Sequence, residues 1–436
     1  MEKIVRAYSK VVDSLNRNTH PKNPYPSGEA IMTLIATGPA LYGKEALQED
    51  VPLSEGSRLL LERLDESDAP LWVLCWGGTN VLAQALKHAE RERSVGDLQK
   101  LRSKIRVYAI SDQDDTGMWI RNHYPDIFFI SSVHGWNQYG LAAWTGISGD
   151  KYYKFDQGGP DFSKVSKEWI KENIQIGDLG AAYPDYMFIP EGDTPTFLYL
   201  IQNGLGSSEH PEWGSWGGRY QSTDVAESPA GRHYTDTVDT VVGKNGQQYI
   251  SNHATIWRWR DAFQNDFAAR MQWTLGKKPS ECNHAPVVIV NDSDAGPGHL
   301  YVEAEAGATI SLDASRSYDP DGDKISFEWF QYSEVSATQW SVKSEVETCE
   351  IRSEGTEPGR VVSIRLPSPE KCAVDLFTGE ARQKGQVMHF VLMVKDNGVP
   401  ALTTYKRVVV QVTNKELRGG RAQAVHSIAE AQMFKQ

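Results

Sequence analysis

Residues 71–86 read LWVLCWGGTNVLAQAL, a near-continuous apolar run stopped by Gly77 and Gly78 and followed at once by residues at helical spacing. A short apolar run closed by glycines fits a strand buried on both faces, and the abrupt change of period makes the segment a strand, turn and helix. Residues 104–115, KIRVYAISDQDD, repeat the arrangement, and 126–137, DIFFISSVHGWN, supply a third apolar run. Strands alternating with helices in this way predict an α/β domain on a mostly parallel sheet, whose ligands gather at the carboxyl ends of the strands.

Working outward, Ile4, Tyr8, Val11, Val12 and Leu15 recur at helical spacing until HPKNPYPSGE (20–29) breaks the pattern with three prolines. Residues 27–39 and 54–70 read as further helices, the second with Ser54 as N-cap. Downstream, SKEWIKENI (166–174) is helical, and MFIPEGDTPTFLYLIQNGL (187–205) reads as strand, polar loop and helix. Residues 213–249, rich in Gly, Trp, Tyr and Asp, read as long functional loops, and ATIWRWRDAFQNDFAARMQWTL (254–275) as one long helix closing the domain at about residue 282.

From CNHAPVVIVND (282–292) the helical periods stop. Short β-rich runs at 299–307, 308–315, 324–333, 359–367, 387–398 and 405–414 are separated by Gly, Pro, Asp and Asn turns, which predicts an all-β sandwich over 283–415. Residues 416–436 have no place in that scheme and are read as a helix or a disordered tail.

The chain has 436 residues, with 57 acidic against 45 basic side chains and a formal net charge of -12. That balance argues against a nucleic-acid partner, which needs a basic face to neutralise phosphates. No apolar stretch is long enough to span a bilayer, so no membrane partner is expected, and the N-terminus is an amphipathic helix pattern rather than an export signal. The four cysteines form no CxxC pair and no zinc spacing; Cys349 and Cys372 are read either as a pair or as free thiols. Fingerprints of serine hydrolases, P-loops, zinc proteases and dinucleotide folds are absent.

The chemistry-bearing candidates cluster where strands end. Asn80 follows the glycines of the first unit and offers both a donor and an acceptor, with helix capping as its rival role. Asp112, Asp114 and Asp115 repel one another unless a cation or hydrogen-bond donors offset them; calcium would suit, and an acidic helix-capping turn is the rival. Glu191 and Asp193, in PEGDTP, form a carboxylate pair able to hold sugar hydroxyls or act as acid and base. Trp213, Trp216 and Tyr220 are candidates for stacking on sugar rings, whereas Trp257, Trp259 and Trp273 are read as core. His233 is a candidate ligand contact or proton carrier, with Asp236 and Asp239 beside it as possible cation ligands. In the sandwich, DPDGD (319–323) is read as a solvated turn ahead of a calcium loop.

Taken together, PLWVLCWGGTNVLAQAL, IRVYAISDQDDTGMWIR, EGDTPTFLYLIQNGL, WGSWGGRY, ATIWRWRDAFQNDFAARMQW, LDASRSYDPDGDKISFEWFQY and VKDNGVPALTTYKRVVVQV are similar to a cellulose-binding-protein family. Its N-terminal domain is nucleoside-hydrolase-like and its C-terminal domain immunoglobulin-like. The resemblance implies hydrolysis of a glycosyl bond, in an N-riboside or a plant-wall carbohydrate, or else non-catalytic binding of cellulose or another polysaccharide. Glu191, Asp193 and Asp112 would be the catalytic carboxylates, and Asp114, Asp115 and Asp236 calcium ligands. Such domains open on a strand ending in an aspartate cluster. No such cluster precedes Asp112, so the resemblance assigns the principal calcium ligands to no residue here, and it implies a sheet without its first strand. The absence of an export signal points to the cytoplasm by default, and to the exterior if sequence is missing upstream.

Overall fold

The computed structural model describes residues 1–223, 231–337, 345–375 and 378–415. They form two units, one of Met1–Ile201 with Ser208–Cys282, the other of Gln202–Ser207 with the chain from Asn283 onward. The residues read as a tail lie outside the described part.

The first unit is built on β1 (Leu71–Cys75), β2 (Ile105–Ser111), β3 (Phe128–Ser132), β4 (Tyr220–Ser222) and β5 (His233–Asp236), in the order β1-β2-β3-β5-β4. The first three and β5 run parallel, and β4 pairs antiparallel with β5. Both β2 and β3 are buried along their whole length, which is why their sequences show no alternation. Helices Glu55–Glu66, Asn80–Glu92 and Thr116–His123 cover the sheet through Leu61, Leu64, Leu82, Leu86 and Ile120, which pack on Val107 and Phe129. Ser54 caps the first of these by accepting from Ser57 N.

Three local expectations need correction. Met187–Ile189 is not a strand: Met187 and Phe188 face solvent, and Pro190 follows directly. The stretch 213–249 is not a set of long loops, because it contributes β4 and β5 together with the hairpin β6 (Asp239–Val242) and β7 (Gln248–Ser251). The long closing helix is two, Ala254–Trp257 and Arg260–Trp273, with Trp259 out of helical conformation between them. Trp257, Trp259 and Trp273 are buried.

The hairpin is fixed by a buried ionic group. Asp239 is fully buried and accepts from Arg219 Nε at 2.7 Å and from Arg258 Nη1 at 2.8 Å, tying β6 to the turn before β4 and to the break between the two helices.

In the second unit, β8 (Leu300–Glu305), β9 (Thr309–Asp313), β10 (Ser326–Gln331), β11 (Glu350–Glu354), β12 (Val361–Arg365), β13 (Lys384–Lys395) and β14 (Thr403–Thr413) form two sheets, ordered β10-β13-β14-β8 and β11-β12-β9. Leu312, Ile364, Phe390, Leu392, Val408 and Val410 fill the space between them, an arrangement consistent with a β-sandwich. The run β11 had not been expected. Gln202–Ser207 joins this unit through hydrogen bonds from Tyr405 N to Asn203 O (2.9 Å) and from Arg407 Nε to Leu205 O (2.6 Å). All four cysteines are free and buried, so Cys349 and Cys372 do not pair. In DPDGD, Asp319 accepts from the backbone N–H groups of Asp321 and Asp323, and Asp321 pairs with His284. Among the described residues no helix is long and apolar enough to cross a membrane.

Removing one partner from a buried ion group leaves uncompensated charge, so Asp239→Ala should lower unfolding stability by about 3–5 kcal/mol. Urea denaturation measures it, and an unchanged midpoint would contradict the role given to Asp239.

Candidate functional site

Because β1, β2, β3 and β5 are parallel, their carboxyl ends lie along one edge of the sheet, and the loops leaving them form its mouth. Trp76 follows β1 there. The residue is 59% exposed, yet its indole Nε1 donates to Thr196 Oγ1 at 2.8 Å, so the side chain is both accessible and held. Gly78, two residues on, lets Asp114 come close, since a Cβ at that position would lie 2.0 Å from the Asp114 carboxylate. At the end of β2, Ser111 Oγ accepts from Trp144 Nε1 at 3.0 Å and lies 2.9 Å from His134 Nε2. His134 Nδ1 is 3.0 Å from Gly135 O, and only a protonated Nδ1 suits that carbonyl, which leaves Nε2 to accept the Ser111 hydroxyl.

Asp236 ends β5 and is half-buried at the same edge. Burial pushes its proton affinity up, opposed by hydrogen bonds from Ser132 Oγ (2.5 Å), Ala143 N (2.9 Å) and Asn252 Nδ2 (3.1 Å). Those three donors make it a bracket joining β5 to two loops.

The loop carrying Glu191 and Asp193 closes over this edge. Ser148 Oγ donates to Glu191 O at 2.9 Å, and Gly192 lies against the Trp144 ring. Hydroxyls of Tyr183 and Thr194 both donate to the Glu191 carboxylate; burial raises its pKa and the two donors oppose the rise. Asp193 is half-buried, and burial first, then the charge of Glu191, raises its pKa from 3.8 to about 6. Tyr139, in ring contact with Trp144 and His134, has its own pKa raised by burial and then by the charge of Asp193. Asp193 thus stands one residue from the glycine that lies against Trp144, with a pKa raised toward neutrality.

The sequence-derived candidates divide. Asn80, Asp112, Asp114, Glu191, Asp193 and Asp236 do converge on this edge. Asn80 is occupied, its Nδ2 donating to Leu41 O at 2.8 Å, and neither it nor Thr79 caps its helix through the side chain. The aspartates read as cation ligands are not pooled. Asp112 is bound twice by Arg121 (2.9 and 2.5 Å), Asp114 accepts from Thr116 N and Oγ1, and Asp115 pairs with Lys44. Asp236 is held as above. Among the described residues no group of three or more His, Cys, Asp and Glu side chains is placed to hold a metal ion, and these donors do not form a calcium cage.

Trp213, Trp216 and Tyr220 are corrected from ligand platforms to packing residues. Trp216 is 3% exposed, Trp213 lies under His210, and the Tyr220 hydroxyl meets that of Tyr108 in the interior. The glycines between them serve close packing: a Cβ at Gly217 would stand 2.1 Å from Pro195 O. His233 pairs with Phe129, in the amino-terminal half of the sheet away from the mouth, and Asp239 belongs to the arginine group. Sequence reasoning passed over Trp76, His134 and Trp144. For Trp76 a signal existed, since it occupies the first position after the β1 run, where a side chain leaves the core.

The chain matches two family descriptions: cellulose-binding Sde182, nucleoside hydrolase-like domain, over residues 1–220, and cellulose-binding protein Sde0182, C-terminal domain, over residues 309–412. Its structure is similar to that of a nucleoside hydrolase-related hypothetical protein from Saccharophagus degradans, described as associated with carbohydrate metabolism. The TM-score is 0.70 and the identity 29%, covering 94% of this chain and 87% of that one. Human CDH23 EC21-23 aligns with a TM-score of 0.19 and 14% identity over 29% of this chain and 33% of that one, a level too low to argue from. No curated protein matches the sequence. With the first match spanning half of its length, the chain belongs to the family of cellulose-binding proteins whose N-terminal domain is nucleoside hydrolase-like.

Proposed function

We propose that the first unit binds carbohydrate at the mouth of its parallel sheet, with the second unit, read as an immunoglobulin-like sandwich, as a spacer or second contact. The observation that carries this reading is Trp76: a large aromatic face open to solvent, fixed by its Nε1–H bond to Thr196, two residues from Thr194 and three from Asp193. Pyranose rings present an apolar C–H face to such a surface, while the hydroxyl rim needs acceptors and donors beside it. Asp193 supplies an acceptor.

A second reading, hydrolysis of a glycosyl bond, is favoured by one specific feature. With a pKa near 6, Asp193 can hold a proton near neutral pH and release it, as a general acid must, and Glu191 lies behind it as a carboxylate kept in place by Tyr183 and Thr194. Asp112 takes no part in this version, because Arg121 holds both of its oxygens.

Trp76→Ala should weaken binding of cellulose-derived oligosaccharides about tenfold or more, read by calorimetry, with the melting temperature close to that of the parent. Parent-like affinity in that variant would remove the mouth as the binding surface. Asp193→Asn tests the carboxyl group. Folding takes up a proton on Asp193 between pH 3.8 and about 6, so the stability contributed by the protonated form is complete below 3.8 and lost as pH rises through 6. The variant should therefore be more stable than the parent above pH 6 and no different below 3.8 in urea titrations. For hydrolysis, turnover of aryl glycosides or nucleosides should fall as pH rises through about 6 and vanish in Asp193→Asn; no turnover across that panel leaves the binding reading alone.

A further inference from the structure

Beside the mouth lies an open groove of about 410 Å³, whose aromatic residues were given no role in the mouth above. Its rim carries Phe188, 60% exposed, and Tyr152, 49% exposed, whose rings meet at 5.2 Å between centroids. Across from them Tyr186 is pinned by its hydroxyl bond to Val165 O at 2.8 Å, with Lys167 Nζ 5.4 Å from the ring centre. Ser148, Lys151 and Glu168 add polar groups between the aromatic ones.

Two observations make this groove more than a patch of surface. Met187 and Phe188 belong to an apolar run that reads as a strand, yet both side chains are exposed. Large apolar side chains grouped in the open are uncommon on a soluble protein without an occupant. The groove is also continuous with the mouth. Pro190, in its lining, directly precedes Glu191, and Ser148, also in the lining, is the residue whose hydroxyl holds Glu191 O. The loop from Phe188 to Thr196 thus has an exposed aromatic group at each end, Phe188 with Tyr152 at one and Trp76, held by Thr196, at the other, with Glu191 and Asp193 between them.

Resting on the carbohydrate reading above, we infer that the groove is a second sugar subsite, and that the ligand is an oligosaccharide of several linked neutral pyranoses lying along residues 188–196 rather than a single sugar or a nucleoside. Rings with an apolar face and a hydroxyl rim match aromatic side chains interleaved with serine, lysine and glutamate groups. An occupant confined to the mouth would leave Phe188 and Tyr152 without a role, whereas a chain of pyranoses reaches both aromatic stations with the same repeated chemistry.

The test is calorimetric titration of the full chain with cellulose-derived oligosaccharides from the disaccharide to the hexasaccharide. Affinity of the parent should climb with length. Phe188→Ala and Tyr152→Ala should each weaken the hexasaccharide about tenfold and leave the disaccharide unchanged, while Trp76→Ala weakens both. Both groove residues are exposed, and equal melting temperatures establish that the variants fold. If the groove variants bind the hexasaccharide as the parent does while Trp76→Ala fails to, the subsite is overturned, the mouth stands, and the exposed aromatic groups serve another partner. If Trp76→Ala also binds as the parent does, the carbohydrate mouth itself is overturned.

Discussion

Burial of β2 and β3 on both faces is the constraint from which the rest of the first unit follows. A strand with no solvent-facing side must give any polar side chain along its length an internal partner, as Glu209 does for Arg106 and Tyr220 for Tyr108, so the groups that can meet a ligand gather where the strand stops. Parallel pairing then sends all those stops to the same edge. Ser111, Asp112, His134 and Asp236 are neighbours for this reason, although nearly all of the sequence between them is helix and loop. The price is an edge crowded with polar groups, each of which needs a partner.

How those partners are supplied separates the acidic residues into two kinds. Asp112, Asp114, Asp115 and Asp236 are satisfied by protein donors, respectively Arg121, Thr116, Lys44, and the group of Ser132, Ala143 and Asn252. A carboxylate already bound twice by a guanidinium gains little from a cation and would have to abandon that pair to ligate one. Asp112 is thereby held in its pair with Arg121, and the other three each have protein donors of their own. Three carboxylates within four residues look like a metal site in sequence because the donors that occupy them come from positions as distant as Lys44 and Arg121.

That distance marks the limit of what could be read from the residues alone. The strand, glycine turn and helix at 71–86 was legible because it is local: period, length and turn chemistry all lie within sixteen residues. The sandwich strands were legible for the same reason, apart from β11, whose sequence EIRSE carries one apolar residue and three charges. Trp213 and Trp216 misled because glycine-rich aromatic loops have two physical uses, ligand contact and tight packing, and the choice depends on what stands opposite. Here that is Pro195 O and the backbone of Tyr199, which a Cβ at Gly217 would strike. Met187–Ile189 misled in the opposite direction, an apolar run of which only Ile189 packs inward while Met187 and Phe188 stay uncovered.

Asp193 differs from the other carboxylates at the mouth in what surrounds it. Its neighbours are Glu191, which repels its charge, and a partly buried setting, which disfavours charge of either sign. Glu191 meets the same burial but has two hydroxyl donors to offset it. Two carboxyl groups one glycine apart are thereby given different tasks, the first fixed in the wall and the second left able to change protonation near neutral pH. A hydroxyl-rich ligand can both accept a hydrogen bond from the protonated form of such a group and donate one to its anion. The loop from Phe188 to Thr196 thus carries an adaptable polar contact between two aromatic groups, its own Phe188 at one end and Trp76, bonded to Thr196, at the other.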